Sequence, residues 1–472
     1  MKIPFVKKIC FISILSILVS SCTGKGFSNE NSSSIFTEMT KIEDIERIDL
    51  EELKNRKFSL TLWSGYTNTQ YNKINDFIND FNKIFPNIEI IQLDQGNIDD
   101  LDYNLRAAVV AKKTPSIAII EHSYISDYIS YNSLENMNSY LLAQNTKFEN
   151  NDREDYIKEL WLNNSSYSLD NSVYSLPLFN YSNVIYYNST FINNIDMNKL
   201  NWSNDDENSI INVLRDIKNQ NKDIIPLYVE NPTTLYKLLT YQFNIPYTKL
   251  TGTAKGKFLF TNNEIVEIIK MVKSWIDEGL LVLGENLNIP VQKNPFVNDI
   301  AMAIAPTNYF EKYGLANNLI KSSLIPQANM EDKYNEIISD DYIIFKNQPI
   351  ENKIISWLFY KFITNKDNAI DLSLNCKTLP LRYSTLENEN YNGTLSNKED
   401  IKSSTLCLLK EVLKNIKSEP AFVGKRIADK EVGKVLMTVS NNDLSNMSNE
   451  QKDKFIKECL SEALKQSSLA QG

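Results

Sequence analysis

The stretch that most restricts the fold runs from Phe58 to Ile120, where apolar periodicity alternates between that of a strand and that of a helix. Phe58-Ser-Leu-Thr-Leu-Trp63 alternates apolar and polar side chains, as a strand with one buried face does. Ile74, Phe77, Ile78, Phe81, Ile84 and Phe85 then step by three and four, with Asn75, Asp76, Asn79, Asp80 and Asn82 on the opposite face. That spacing predicts an amphipathic helix, stopped by Pro86. A strand over Ile88–Leu93, a helix over Leu101–Lys113 and a strand over Ser116–Ile120 follow. Strand–helix–strand–helix–strand is the pattern of a parallel sheet with helical crossovers, so the fold class is α/β. In such sheets functional groups gather at the carboxyl ends of strands. Here those ends are Trp63 to Tyr66, Asp94 to Asn97, and Glu121-His122.

Ahead of this domain, Lys7 and Lys8 precede an apolar run from Ile9 to Val19, which ends in Val19-Ser20-Ser21-Cys22. A basic start, a short core and small residues predict a secretory signal over 1–21. The core is too short for a membrane span, which needs about 20 apolar residues. Cys22 after small residues resembles a bacterial lipobox, which implies a diacylglycerol on its thiol and attachment to the outer face of the cytoplasmic membrane. The alternative is an ordinary cleaved signal with a chance cysteine. Residues 23–42 are polar and Ser-rich and predict a flexible tether. The charged run 43–57 suits a short helix, and the organised domain is expected to start near Phe58.

The 472 residues are enough for two lobes, since single cores stop growing near about 250–300 residues. Taking the three leader lysines (Lys2, Lys7, Lys8) from a formal charge of −9 leaves −12. Such an acidic surface argues against nucleic acid and against electrostatic membrane docking. Cys376, Cys407 and Cys459 remain once Cys10 and Cys22 are set aside; scattered and odd in number, they read as buried reduced thiols, with one bridge as the alternative.

Catalytic signals are missing. His122 is the one histidine, and no G-x-S-x-G, H-E-x-x-H, clustered Cys-x-x-Cys or EF-hand loop occurs. Gly252-Thr-Ala-Lys-Gly256-Lys257 has one residue too few between its glycines for a phosphate loop and is expected to be a loop. No catalytic residue, cofactor or metal ligand is therefore assigned. Aromatic residues are plentiful, 24 Tyr, 21 Phe and 5 Trp, and Asn is abundant. Ring faces stack on sugars while amides and carboxylates bond hydroxyls, so a cleft lined by both suits a small polar ligand. Trp63, Tyr66, Tyr181 and Tyr309 lie where strands end, with core packing as the alternative for each; Trp275 and Trp357, inside helical stripes, are expected in the core.

Several segments, in order, resemble the extracellular solute-binding proteins of ABC importers, the sugar and glycerol-phosphate binding group. Trp63-Ser-Gly with Phe81-Asn82 and Phe85-Pro86-Asn87-Ile88 is similar to the family's opening unit. Ala107-Ala108 to Thr114-Pro115-Ser116-Ile117, Ser175-Leu176-Pro177 with Ile185-Tyr186-Tyr187-Asn188, Trp275 to Gly279, Phe296 to Met302 and Leu379-Pro380 continue it. Ser116 and Asp299 depart from its usual residues. The resemblance implies the two-lobe type II binding-protein fold, with crossing strands as hinge. It implies an N-terminal lobe of 58–165 and 300–345 and a C-terminal lobe of 166–299 and 346–472, behind a lipidated tether over 22–57. Carried over, the ligand-facing residues are Trp63, Tyr66, Glu121, His122, Asn180, Tyr181, Asn183, Asn308, Tyr309 and Asp340, the last beside Asp341. Lys425 or Arg426 is the counterpart of a basic residue that holds phosphate in glycerol-phosphate-binding relatives. The carboxylates of Asp340 and Asp341 would oppose an anion, so a sugar, oligosaccharide or polyol is expected ahead of glycerol phosphate. The implied partners are ABC permease subunits, with the membrane reached only through the Cys22 lipid and the protein a monomer. An exported glycan-cleaving enzyme and a surface adhesin are the rival readings.

Overall fold

The computed structural model describes residues 39–471, apart from 66–68, 150, 193–194, 204–205, 287–295, 297–298, 310–318 and 397–399. The predicted leader, Cys22, the tether up to residue 38 and Tyr66 lie outside the described residues.

The predicted alternation folds into one half of the molecule. β1 (Phe58–Ser64) lies between β2 (Ile88–Asp94) and β3 (Ile117–Glu121), parallel to both, with Phe58 opposite Ile88 and Leu62 opposite Ile117. The helix Thr69–Ile84 between β1 and β2 buries Ile74, Phe77, Ile78 and Phe81, the stripe its spacing predicts. Two antiparallel strands complete this sheet: β4 (Leu176–Tyr181) pairs with β12 (Ile338–Ile344), which pairs with β3, giving the order β2-β1-β3-β12-β4.

A second sheet has the order β11-β5-β10-β6-β9, built from β5 (Asn183–Asn188), β6 (Ile225–Val229), β9 (Leu281–Leu283), β10 (Ile300–Pro306) and β11 (Ile320–Ser323). β10 runs parallel to β6, and β6 to β9, whereas β5 is antiparallel to both β10 and β11. Its core holds Trp275 stacked on Trp202, ring centroids 5.5 Å apart. The helix Asn263–Asp277 carries the expected apolar stripe and stops just before Gly279, whose φ of +72° suits the left-handed turn after a helix. The chain passes between halves at Ser182, over 324–337 and over 414–424. The stretch 248–258, expected to be a loop, is a two-stranded hairpin of β7 (Thr248–Gly252) and β8 (Lys255–Phe258).

Several assignments change. Residues 176–181, expected in the C-terminal lobe, belong to the first sheet, and 300–306 and 320–323, expected in the N-terminal lobe, belong to the second, where the all-apolar strand 300–306, buried on both faces, fits the centre between β5 and β6. Residues 350–416 pack on the first core through Trp357, Phe359, Leu372 and Leu409, whereas 428–463 pack on the second. The end of the tether also moves. Helices Ile42–Glu46 and Leu50–Asn55 dock on the first core through Ile45 and Leu53, and Asn145 donates to the carbonyls of Ile45 and Ile48. Charge alone suggested a solvated tether there; two well-spaced apolar side chains suffice to anchor it. Cys376, Cys407 and Cys459 are free thiols, and burial pushes the Cys376 thiol up to about 12.

Candidate functional site

Strand ends and helix starts of both halves converge on a cleft of about 670 Å³. The first half contributes Glu121 and His122 from the end of β3, Asn163, and Ser339 from the start of β12. The second contributes Asn183 from the start of β5, Pro306 at the end of β10, Tyr309 just after it, and the first turns of the helices Pro232–Gln242 and Lys425–Asn441. The first of these helices starts where it does because Asn231 caps it, accepting from the Thr233 N–H, with Pro232 in the first turn.

His122 anchors the wall of the first half. Its Nδ1 lies 2.7 Å from Asp341 Oδ2 and 2.7 Å from the Tyr167 hydroxyl, and its ring stacks on Tyr167 at 4.7 Å. Asp341 is fully buried, and its Oδ2 also accepts from Ser175 at 3.0 Å and Tyr167 at 3.2 Å, whereas its Oδ1 has no partner. Burial, reinforced by Asp341, pushes the Tyr167 phenol well above its ordinary value. Its Nε2 lies 3.2 Å from the Ser166 hydroxyl. Ser166, His122 and Asp341 thus have the spacing of a hydrolase relay, but Ser166 is not among the residues lining the cleft. The relay presents no nucleophile there.

The opposite wall is a buried network of charges. Lys237 pairs with Glu336 and, at 3.1 Å, with Glu419; Lys425 pairs with Glu419 at 3.0 Å and Asp429 at 2.6 Å. Asn183 Nδ2 donates to Glu336, Tyr334 to Glu419 and Tyr247 to Asp429. Burial alone would lower the Lys237 pKa, but Glu336, Glu419 and Asp429 outweigh it and hold the amine well above its usual value. The two glutamates on that lysine shift in opposite directions. Burial and the nearby Glu419 raise Glu336 against Lys237, whereas two lysines and the Tyr334 hydroxyl overcome burial and lower Glu419.

Among the residues singled out from the sequence, Glu121, His122, Asn183, Tyr309, Lys425 and Arg426 line the cleft. Burial raises the Tyr309 phenol. The other described ones face elsewhere. Tyr181 packs in the first core and accepts from Gln70 at 2.9 Å. Asn180 is fully buried beside it, and nothing in the structure explains its unpartnered amide. Both belong to β4, which is covered on both faces, so neither side chain reaches solvent. Trp63 packs against the apolar cluster on the other face of the first sheet. Asn308 and Asp340 are half-buried and outside the cleft lining. Among the described residues Tyr309 is the one Tyr, Phe or Trp lining the cleft, and charged groups take the place expected for stacking rings. Sequence reading missed Glu230, Lys237, Glu336, Glu419 and Asp429. The Asn231-Pro232 helix start was the available signal for the first two. No group of three His, Cys, Asp or Glu side chains among the described residues could hold a metal.

A sequence profile described as bacterial extracellular solute-binding protein matches residues 76–397. No curated protein sequence matches the chain. Among solved structures the chain is similar to the sugar-binding protein MalE of Xanthomonas citri, at 14% identity and a TM-score of 0.69, covering 87% of this chain and 98% of that one. It is similar to the cyclic alpha-maltosyl-1,6-maltose binding protein of Arthrobacter globiformis, at 13% identity and a TM-score of 0.67, covering 87% and 99%. UgpB of Mycobacterium tuberculosis, solved with glycerophosphocholine, matches at 15% identity and a TM-score of 0.67, again over 87% and 99%. The two-lobe type II binding-protein fold expected from the sequence is thus the fold these structures share.

Proposed function

Because the chain belongs to the bacterial extracellular solute-binding proteins, we propose that it is the lipid-anchored receptor of an ABC importer, capturing a small polar solute between its lobes. The observation that carries this reading is the cleft itself, lined from both halves by amide, carboxylate, amine and hydroxyl groups. Residues from two bodies joined by three crossing segments can be brought onto one ligand by a hinge, and the ligand favours closure through contacts it lacks in the open form. Sugars and related hydroxylated solutes suit such a lining, as they do the sugar-binding proteins of the same fold. Cys22 tethers the receptor outside the cell, and the closed protein delivers its solute to the permease. The role is non-covalent and needs no cofactor.

The test pairs calorimetry on the mature protein with fractionation of cells that make it. A saccharide panel should give one solute per protein without product formation, and Cys22→Ser should move the protein from membrane to medium. Turnover of a glycan, or membrane retention of the serine variant, would remove the corresponding half of the proposal.

A further inference from the structure

A second hollow, of about 470 Å³, lies on the first half and shares no lining residue with the cleft. The helices Asn138–Leu142 and Lys158–Asn163 both line it. Arg153 lays its guanidinium 3.8 Å from the centre of the Trp161 ring, and among the described residues no carboxylate or hydrogen-bond acceptor meets it. Arg47, Arg56, Arg106, Arg215 and Arg382 all pair with carboxylates. Burial lowers the Arg153 pKa, outweighing Tyr360, Tyr156 and Glu154, as it does for a cation taken from water without a counter-charge. The Trp161 indole N–H, on a residue 3% exposed, is buried without an acceptor. Lys158 lies at the same hollow, and Leu142 and Leu162 are 62% and 45% exposed there. Among the described residues no Asp or Glu lines it; Glu154 and Glu159 adjoin the two cations in sequence but are not part of the lining. Open donors beside bare hydrocarbon suit an occupant that is anionic at one end and apolar at the other.

The course of the chain brings one such occupant close. The helix Ile42–Glu46 packs on Asn138–Leu142, and Glu46 accepts from the Gln144 N–H at 2.8 Å. Just ahead of that helix, Thr40 accepts from Lys353 at 2.8 Å. The segment that leads from Cys22 therefore joins the folded body beside this hollow. Residues 23–38 between them reach at most about 55 Å. The acidic net charge argues against electrostatic docking of the surface as a whole, but this hollow is locally cationic.

Resting on the membrane anchoring proposed above, we propose that this hollow is the face the receptor lays on the bilayer. The phosphate of an anionic lipid sits on Arg153, Lys158 and Trp161 Nε1, and Leu142 and Leu162 enter the boundary between headgroups and acyl chains. Guanidinium and indole N–H donors match a phosphate, and basic groups gain free energy at an anionic lipid surface. Two cations and two leucines bind far more weakly than an acyl anchor. The contact therefore orients an anchored receptor without holding an unanchored one, and Cys22→Ser is still released to the medium.

Sedimentation of the mature Cys22→Ser protein with vesicles tests this, using phosphatidylcholine alone or mixed with phosphatidylglycerol. At millimolar lipid the mixed vesicles should carry down about fivefold more protein or better, and added salt should weaken the effect. Arg153→Gln, Lys158→Gln and Leu142→Asp should each reduce that binding by about fivefold. Lys158 and Leu142 are exposed, so their variants should keep the native urea midpoint and solute affinity. Equal sedimentation with both vesicles, or none with either, while the native protein fractionates with membranes, would overturn the contact and leave anchoring standing. Native protein found in the medium would overturn both. Calorimetric binding of free decanoate without vesicle binding would overturn the bilayer contact in favour of a soluble fatty acid. A dimer in solution that Leu142→Asp abolishes would overturn it in favour of a second copy.

Discussion

At the scale of single residues, Tyr181 shows how burial reassigns an aromatic side chain. It is 4% exposed, packed in the first core, and its hydroxyl accepts from Gln70. Removing the ring leaves a cavity, which for a large aromatic costs about 3–5 kcal/mol, whereas removing only the hydroxyl costs about 1 kcal/mol. Tyr181→Ala should therefore lower the urea midpoint strongly and Tyr181→Phe slightly, with solute affinity of the folded protein unchanged in both. A large affinity loss in Tyr181→Phe would return this residue to the site. His122 is the contrasting case. Its position at a strand end was legible in the sequence, but its tie to Asp341 was not. That bond joins β3 to β12, whose antiparallel pairing sets Asp341 opposite Ile120.

Among the elements, the helix Lys425–Asn441 gives the cleft four charged side chains, Lys425, Arg426, Asp429 and Lys430, of which the family resemblance pointed to the first two only. Its start is dense in charge and Gly433 sits mid-helix, where glycine costs about 1 kcal/mol relative to alanine. The structure explains that glycine: a Cβ there would come within 2.4 Å of Thr233 Oγ1, so its absence lets this helix pack against Pro232–Gln242. Glu419, just before the helix, links the two through Lys237 and Lys425. Burial would raise its carboxyl, but the lysines hold it below the ordinary 4.5. A depressed acid contributes stability that is present above its unfolded value and lost as pH falls through the folded one. Glu336, raised by burial, has the opposite sign: it favours the folded state at low pH and opposes it as pH rises through its folded value. Acidification from about pH 5 to about pH 3 should thus lower the urea midpoint of the native protein more steeply than that of Glu419→Gln. Equal slopes would mean that Glu419 is not held ionised by the lysines.

For the whole molecule, two sheets with separate cores share one cleft and three crossing segments, so closure needs no repacking of either core. Solute that bridges the lobes should raise the melting temperature and reduce the radius of gyration in X-ray scattering; a rise in melting temperature with unchanged scattering would show binding without closure. The sequence by itself determined the elements whose periodicity is strong and local. The helix Thr69–Ile84 and strands β1 to β3 fall close to where apolar spacing put them, and ordered segments pointed to the two-lobe fold. Tertiary structure alone decided which half each late segment joins and which polar groups meet. β10 lies between β5 and β6, and Glu336, Glu419 and Asp429 converge on two lysines from segments up to about 190 residues away. Periodicity reports which face of an element is buried, because it arises within one turn or one pleat. It carries no information about the partner across the interface, and a charged cleft is made entirely of such partners.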